Sequence, residues 1–164
     1  MIEPVLSRRH ALRLLGMGVA IPVVAACGPG EARAKSYPVH FTEDEWRRRL
    51  TPEQFRILRK QGTEYPGTSP LLNEHRKGIF ACAADDNPLF SSATKFESHT
   101  GWPSFWRPLA GAIGYSTDWD LGAPRTEVHC TRCGGHLGHV FDDGPQPTGK
   151  RYCINGAILK FLPA

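Results

Sequence analysis

From residue 78 onward the chain is a succession of short runs rich in β-branched and aromatic residues, at 78–82, 112–116, 126–130, 139–141, 151–154 and 157–161. Clusters of Asp, Gly and Pro separate them, so each run is too short for a helix and reads as a strand between tight turns. There is no alternation of strand and helical patterns and no internal repeat of useful length, which excludes a parallel α/β sheet and a solenoid. The pattern predicts a mainly β fold of small antiparallel sheets.

Residues 1–27 stand apart from that pattern. Ser7-Arg8-Arg9-His10 is a twin arginine, and residues 12–26 are apolar except for Arg13 but are interrupted by Gly16, Gly18 and Pro22. A charged start, a short apolar middle and a small-residue end are the layout of an export signal. The apolar part falls short of the roughly 20 residues that a membrane span requires. Val24-Ala25-Ala26-Cys27 resembles a lipobox, in which cleavage leaves Cys27 lipidated and membrane-attached; ordinary cleavage near Ala26 is the competing reading. Both place the protein outside the bacterial cytoplasm, periplasmic or exported.

Removing 27 of the 164 residues leaves 137, one domain's worth of chain. Lys+Arg falls from 20 to 17 and Asp+Glu from 16 to 15, so the net charge falls from +4 to +2. Arg47-Arg48-Arg49 lies beside Glu43-Asp44-Glu45 and reads as a solvated helix face, which argues against nucleic acid as a partner. Residues 28–40 are small, polar or Pro-containing and read as a flexible tether, with the folded domain at 41–164. Two capping boxes, Thr42-x-x-Glu45 and Thr51-Pro52-Glu53-Gln54, predict short accessory helices. Trp46 with Leu50 and Phe55 with Leu58 would form their apolar stripes.

The cysteines divide into two kinds. Cys130-x-x-Cys133 is a knuckle whose two thiols can reach one tetrahedral metal, and Cys82-Ala-Ala-Asp85 is the only other suitable knuckle. Cys82, Asp85, Cys130 and Cys133 therefore form a candidate zinc site of three thiolates and one carboxylate. A Cys130–Cys133 disulfide or buried thiols without metal are the alternatives. Cys153 instead lies mid-strand, with Arg151 and Asn155 two positions to either side and so on its face. Arginine favours a thiolate by its charge, and His136 and His139, three apart in a Gly-rich turn, are candidate proton donors over that face. Trp102 and Trp106 flank a proline turn, where an indole can wall an apolar pocket or pack in the core.

Three blocks, Gly101-Trp-Pro-Ser-Phe105, His136-Leu-Gly-His-Val-Phe-Asp-Asp-Gly-Pro145 and Arg151-Tyr-Cys-Ile-Asn155, resemble in order and spacing the signatures of the B-type methionine-R-sulfoxide reductases. The resemblance runs from about Phe41 to the C-terminus. It implies a compact barrel-like pair of antiparallel sheets with N-terminal helices, and a monomeric enzyme without organic cofactor. It also implies reduction of methionine-R-sulfoxide, free or in oxidised proteins, through a sulfenic acid on Cys153, with electrons from a thioredoxin-like or other thiol donor. By the same resemblance His139, His136 and Asn155 join Cys153 in catalysis, while Trp102, Phe105 and Arg151 bind substrate. Thr100 stands where many members carry a resolving cysteine, and Asp85 where metal-binding members carry a cysteine. Cys82 or an external thiol would then resolve the sulfenic acid. A zinc-ribbon-like binding module at the membrane surface is the alternative, but it assigns no role to Cys153.

Overall fold

The computed structural model describes residues 36–164. The expected export signal, Cys27 within it and the tether as far as residue 35 lie outside the described residues. Two helices come first, α1 (Glu43–Arg49) and α2 (Pro52–Lys60), each opened by a complete capping box. At α1 the Thr42 N–H donates to Glu45 Oε2 at 2.8 Å while the Thr42 hydroxyl accepts the Glu45 N–H at 3.3 Å. Such a cap is worth about 1 kcal/mol to a helix too short to persist alone. What holds both helices is burial: Trp46, Leu50, Phe55, Ile57 and Leu58 all face inward. Tyr37 and Val39 fall in the expected tether yet are docked, Tyr37 with its ring edge-on to His129 and Val39 donating its N–H to the Arg132 carbonyl at 2.8 Å.

The strands form two antiparallel sheets. The smaller takes β1 (Gly78–Cys82), β2 (Pro88–Ser91) and β9 (Leu159–Pro163) in the order β2-β1-β9. The larger takes β3 (Lys95–Phe96), β4 (Ser104–Phe105), β5 (Ile113–Asp118), β6 (Arg125–Cys130), β7 (His136–Phe141) and β8 (Arg151–Ile154) in the order β3-β4-β8-β7-β6-β5. Neither sheet closes into a barrel, because β3 and β5 remain edges of the larger one.

The expected strands at 78–82 and 151–154 have those bounds, whereas β7 begins three residues earlier than the run at 139–141. Gly138 masked its start. The strands β2, β3 and β4 were not legible, the first because it opens on Pro88 and the others because two residues carry no periodicity.

The apolar faces of the two sheets meet in one core, where Phe80, Phe90, Phe105, Leu137, Ile154 and Ile158 are fully buried. Phe105 stacks on Phe90 with ring centroids 4.4 Å apart and takes Phe80 edge-on at 5.0 Å. This overturns its expected part in substrate binding: a side chain with no exposed surface, enclosed by two other phenylalanines, cannot line a cleft. Phe105→Ala should cost about 3–5 kcal/mol of stability. Denaturant unfolding would show the loss, whereas unchanged stability with weakened substrate binding would return Phe105 to the site.

Candidate active site

The order β4-β8-β7 places Cys153 at the middle of the larger sheet, and the register sets Ser104 opposite it on one side and His139 on the other. Directly opposed residues share a face with Cβ atoms about 5 Å apart, so pairing alone brings a thiol and an imidazole together. The approach of β7 to β8 depends on Gly138, since a Cβ there would lie 2.1 Å from the Cys153 carbonyl oxygen. A cleft of about 130 Å³ opens over this pair, lined by Thr63, Trp102, Arg125, Gly138, His139, Phe141, Cys153 and Asn155. A larger groove of about 660 Å³ beside Trp106, Leu109 and Tyr115 contains neither cysteine nor histidine among its walls. The smaller cleft is where the chemistry lies.

Cys153 is half-buried, and burial pushes its thiol above the ordinary value of 9.0, against the opposing influence of the Thr100 hydroxyl and the Arg151 charge. Thr100 Oγ1 lies 3.9 Å from Cys153 Sγ and 2.8 Å from the Ser98 hydroxyl. The arginine expected to bind substrate is otherwise engaged. Arg151 grips Asp143 through Nε and Nη2, both at 2.8 Å, and lies over the Phe141 ring at 4.4 Å. It is not among the residues lining the cleft: Asp143 takes its Nε and Nη2 donors, it favours the Cys153 thiolate through its charge and through hydrogen bonding, and it packs on Phe141 in the wall.

His139 lines the cleft and donates from Nε2 to Asp118 Oδ2 at 2.6 Å. Asp118 also accepts the Asp120 N–H at 2.8 Å and pairs with Arg125. The Asp120 amide, the imidazole and the guanidinium hold its carboxyl at about 2, so it is ionised. Burial nevertheless lowers His139 below the ordinary 6.5, with Arg125 and His136 adding to the effect and Asp118 opposing it. A neutral ring with its proton on Nε2 leaves Nδ1 as the nitrogen that can take and return a proton.

His136 is placed differently from its expected role over the cleft. It is 3% exposed, absent from the lining, and bonded through Nδ1 to Glu127 Oε1 at 2.7 Å, with its ring edge-on to His139 at 5.3 Å. Burial works against ionisation of Glu127, but bonds from His136 and Ser116 keep its carboxyl at about 2. His136 therefore supports His139 from behind.

Asn155 lines the cleft, but its Oδ1 accepts the Glu64 N–H at 2.9 Å and its Nδ2 donates to the Leu137 carbonyl at 3.0 Å, leaving one amide hydrogen. Trp102 presents its ring to the cleft, its N–H spent on the Glu64 carbonyl at 3.2 Å. Asp118, Arg125, Thr63 and Phe141 were missed in the sequence. Asp118 and Arg125 are register partners at the end of the β5–β6 pair, and opposite charges flanking a turn were the available signal.

The other cysteines meet elsewhere. Cys82 at the end of β1, Asp85 in the following turn, Cys130 at the end of β6 and Cys133 beyond it offer four donor atoms within 4.8 Å of one another. All four described cysteines are free thiols. Cys82 Sγ and Cys133 Sγ are 3.9 Å apart, close to the edge of a tetrahedron with metal–sulfur bonds of about 2.3 Å. Contacts with Cys133 and Cys82 pull Cys130 toward thiolate, contacts with Cys130 and Cys133 push Cys82 up, and burial with the Cys130 charge raises Asp85. Only a cation would let all four donors ionise together, and this group could hold one.

A half-buried thiol facing an imidazole in a small, aromatic-walled cleft defines the class: a thiol-based enzyme acting on a small polarised group. A family model described as the SelR domain matches residues 50–163. The chain is 53% identical over 127 residues to the peptide methionine sulfoxide reductase MsrB of Leptospira interrogans, covering 77% of this chain and 97% of that protein. It is 53% identical over 126 residues to the protein of that name from Agrobacterium fabrum, covering 76% and 93%, and 55% identical over 123 residues to that of Thiobacillus denitrificans, covering 74% and 93%. The chain belongs to the SelR-domain family of methionine sulfoxide reductases.

Because burial outweighs Thr100 and Arg151, alkylation of Cys153 should rise with pH to a midpoint above 9.0. Mass spectrometry of the peptide carrying Cys153 reads the rate, and a midpoint in the acidic range would mean that the thiol is activated before substrate arrives.

Proposed function

We propose that the protein is an oxidoreductase that reduces methionine-R-sulfoxide to methionine through a sulfenic acid on Cys153, repairing oxidised proteins. The observation that carries the reading is the register pairing of Cys153 with His139 in the cleft beneath Trp102. A sulfoxide becomes electrophilic when its oxygen is protonated, so nucleophile and acid must reach adjacent atoms. The resting pair, a protonated thiol and a neutral imidazole, already contains the required proton. His139 Nδ1 takes it from Cys153 Sγ as the sulfur attacks, and returns it to the sulfoxide oxygen. The protonated oxygen then passes from the substrate sulfur to Sγ: an Sγ–O bond forms as the S–O bond of the substrate breaks, methionine leaves, and Cys153 is left as a sulfenic acid. Asp118 holds His139 in the tautomer this needs and steadies the transient imidazolium, and Glu127 with His136 packs the ring from behind. The aromatic faces of Trp102 and Phe141 suit the S-methyl group.

Thr100 supplies a hydroxyl where a resolving thiol would stand, and Cys82 is fully buried in the other cysteine group. We therefore assign reduction of the sulfenic acid to an external thiol, with a thioredoxin-like protein as donor. We assign zinc to Cys82, Asp85, Cys130 and Cys133, as a brace joining β1 to β6, and no organic cofactor. The twin arginine and Cys27 support export to the periplasm, with a lipid on Cys27 as the membrane attachment. A zinc-ribbon-like binding module is not favoured, since it accounts for the four-donor group but leaves Cys153 and His139 unused.

Cys153→Ser should reduce turnover of the R epimer of N-acetylmethionine sulfoxide at least about a hundredfold, with the S epimer untouched by either protein. Turnover of the S epimer alone by the native protein would overturn the assignment. Protein purified without chelator should carry about one zinc per chain, and Asp85→Ala should lose metal and melt several degrees lower. Metal content below about a tenth of an equivalent would remove zinc from the account.

A further inference from the structure

Glu64 lies in the connection between α2 and the short 3-10 turn at Pro70–Asn73, outside both sheets, yet it is only 3% exposed. Its four hydrogen bonds fall into two pairs. Its main chain spans the cleft walls, the N–H donating to Asn155 Oδ1 at 2.9 Å and the carbonyl accepting the Trp102 indole N–H at 3.2 Å. Its carboxylate accepts the N–H groups of Gly156 at 2.5 Å and Ala157 at 2.8 Å, in the turn that follows β8. The segment continues to follow the tryptophan turn, with the Gly67 N–H donating to the Gly101 carbonyl at 2.8 Å. Gly101, at φ 93°, has Pro66 so near that a Cβ would meet it at 2.7 Å. Thr63, the preceding residue, lines the cleft itself.

Burying a carboxylate costs free energy that a hydrogen-bonded apolar loop would avoid, and burial raises its pKa against the pull of the two amides. What the charge provides is a rigid two-pronged attachment of this segment to the residues directly after Cys153-Ile-Asn155. We propose that Glu64 is a specificity-determining positioning residue: its carboxylate anchors the segment that holds Trp102 and Asn155 at a fixed separation across Cys153, and so sets how tightly the cleft takes the substituents of the sulfoxide. The inference rests on the sulfoxide reductase reading. Cys153 reactivity should not depend on Glu64, because the polar neighbours of the thiol are Thr100 and Arg151.

Glu64→Gln keeps the size of the side chain but replaces one acceptor oxygen with a donor that opposes an amide N–H. With both epimers of N-acetylmethionine sulfoxide, KM for the R epimer should rise about tenfold while kcat changes less than about threefold. The alkylation rate of Cys153 should stay within about twofold of the native protein. Glu64→Asp, which keeps the charge with one methylene less reach, should give an intermediate KM. An unchanged KM, with or without a lower melting temperature, overturns the proposal and makes Glu64 a purely structural clamp; so does a parallel loss of kcat and alkylation. If Glu64→Gln does not fold, Glu64→Asp is read alone, and a native KM in that variant overturns the proposal equally. Native protein inactive on the R epimer would instead refute the function itself.

Discussion

The pairing of β7 with β8 is the contact on which the rest depends. Gly138 admits the Cys153 carbonyl at a distance no side chain would allow, and that approach sets His139 opposite Cys153. A register slip of one residue would put His139 on the opposite face of the sheet from Cys153. The neighbouring pairings then complete the surroundings: β4 brings Ser104 against the thiol from the other side, and β6 places Arg125 and Glu127 around the histidines. Below the sheet, Phe105 and Leu137 fill the core and keep these strands from shifting.

Three acids act on this frame in different ways because their partners differ. Asp118 is held ionised by an amide, an imidazole and a guanidinium, and fixes the His139 tautomer. Glu127 is ionised by His136 and Ser116 behind the cleft. Glu64 has only backbone amides for its carboxylate, and its bonds join the loop before the first strand to the turn after the last catalytic one. None of the three lines the cleft: Asp118 and Glu64 restrict groups that do, and Glu127 holds His136, which packs against one. The thiol itself is left with a raised pKa, because burial outweighs the hydroxyl and the arginine beside it.

The separation of Cys153 from the other cysteines has a physical consequence. Cys82, Cys130 and Cys133 share one buried group in which mutual contacts pull Cys130 toward thiolate and push Cys82 up, whereas Cys153 answers to a hydroxyl and an arginine. Oxidation at the cleft therefore has no protein thiol beside it among the described residues, and the hydroxyl of Thr100 takes the place at 3.9 Å.

Local signals were legible wherever one segment carries the whole pattern: the capping boxes before α1 and α2, the strand at 151–154 and the distinct setting of Cys153. The surroundings of Phe105, Arg151 and His136 were not legible, because an aromatic beside a proline, an arginine beside a cysteine and a histidine near a histidine look alike whether they face a cleft, a salt bridge or a buried acid. Asp118 and Arg125 were hidden because they reach His139 only through the β5–β6–β7 register. The amino-acid order by itself determined the strand-and-turn architecture and the family, and set Cys153 apart from the other cysteines, since these reside in short-range chemistry and contiguous motifs. Which side chains stand in the cleft, which nitrogen of His139 is taken by Asp118 and what anchors Trp102 were decided only by tertiary structure. Each depends on hydrogen bonds and burial between residues distant in the chain.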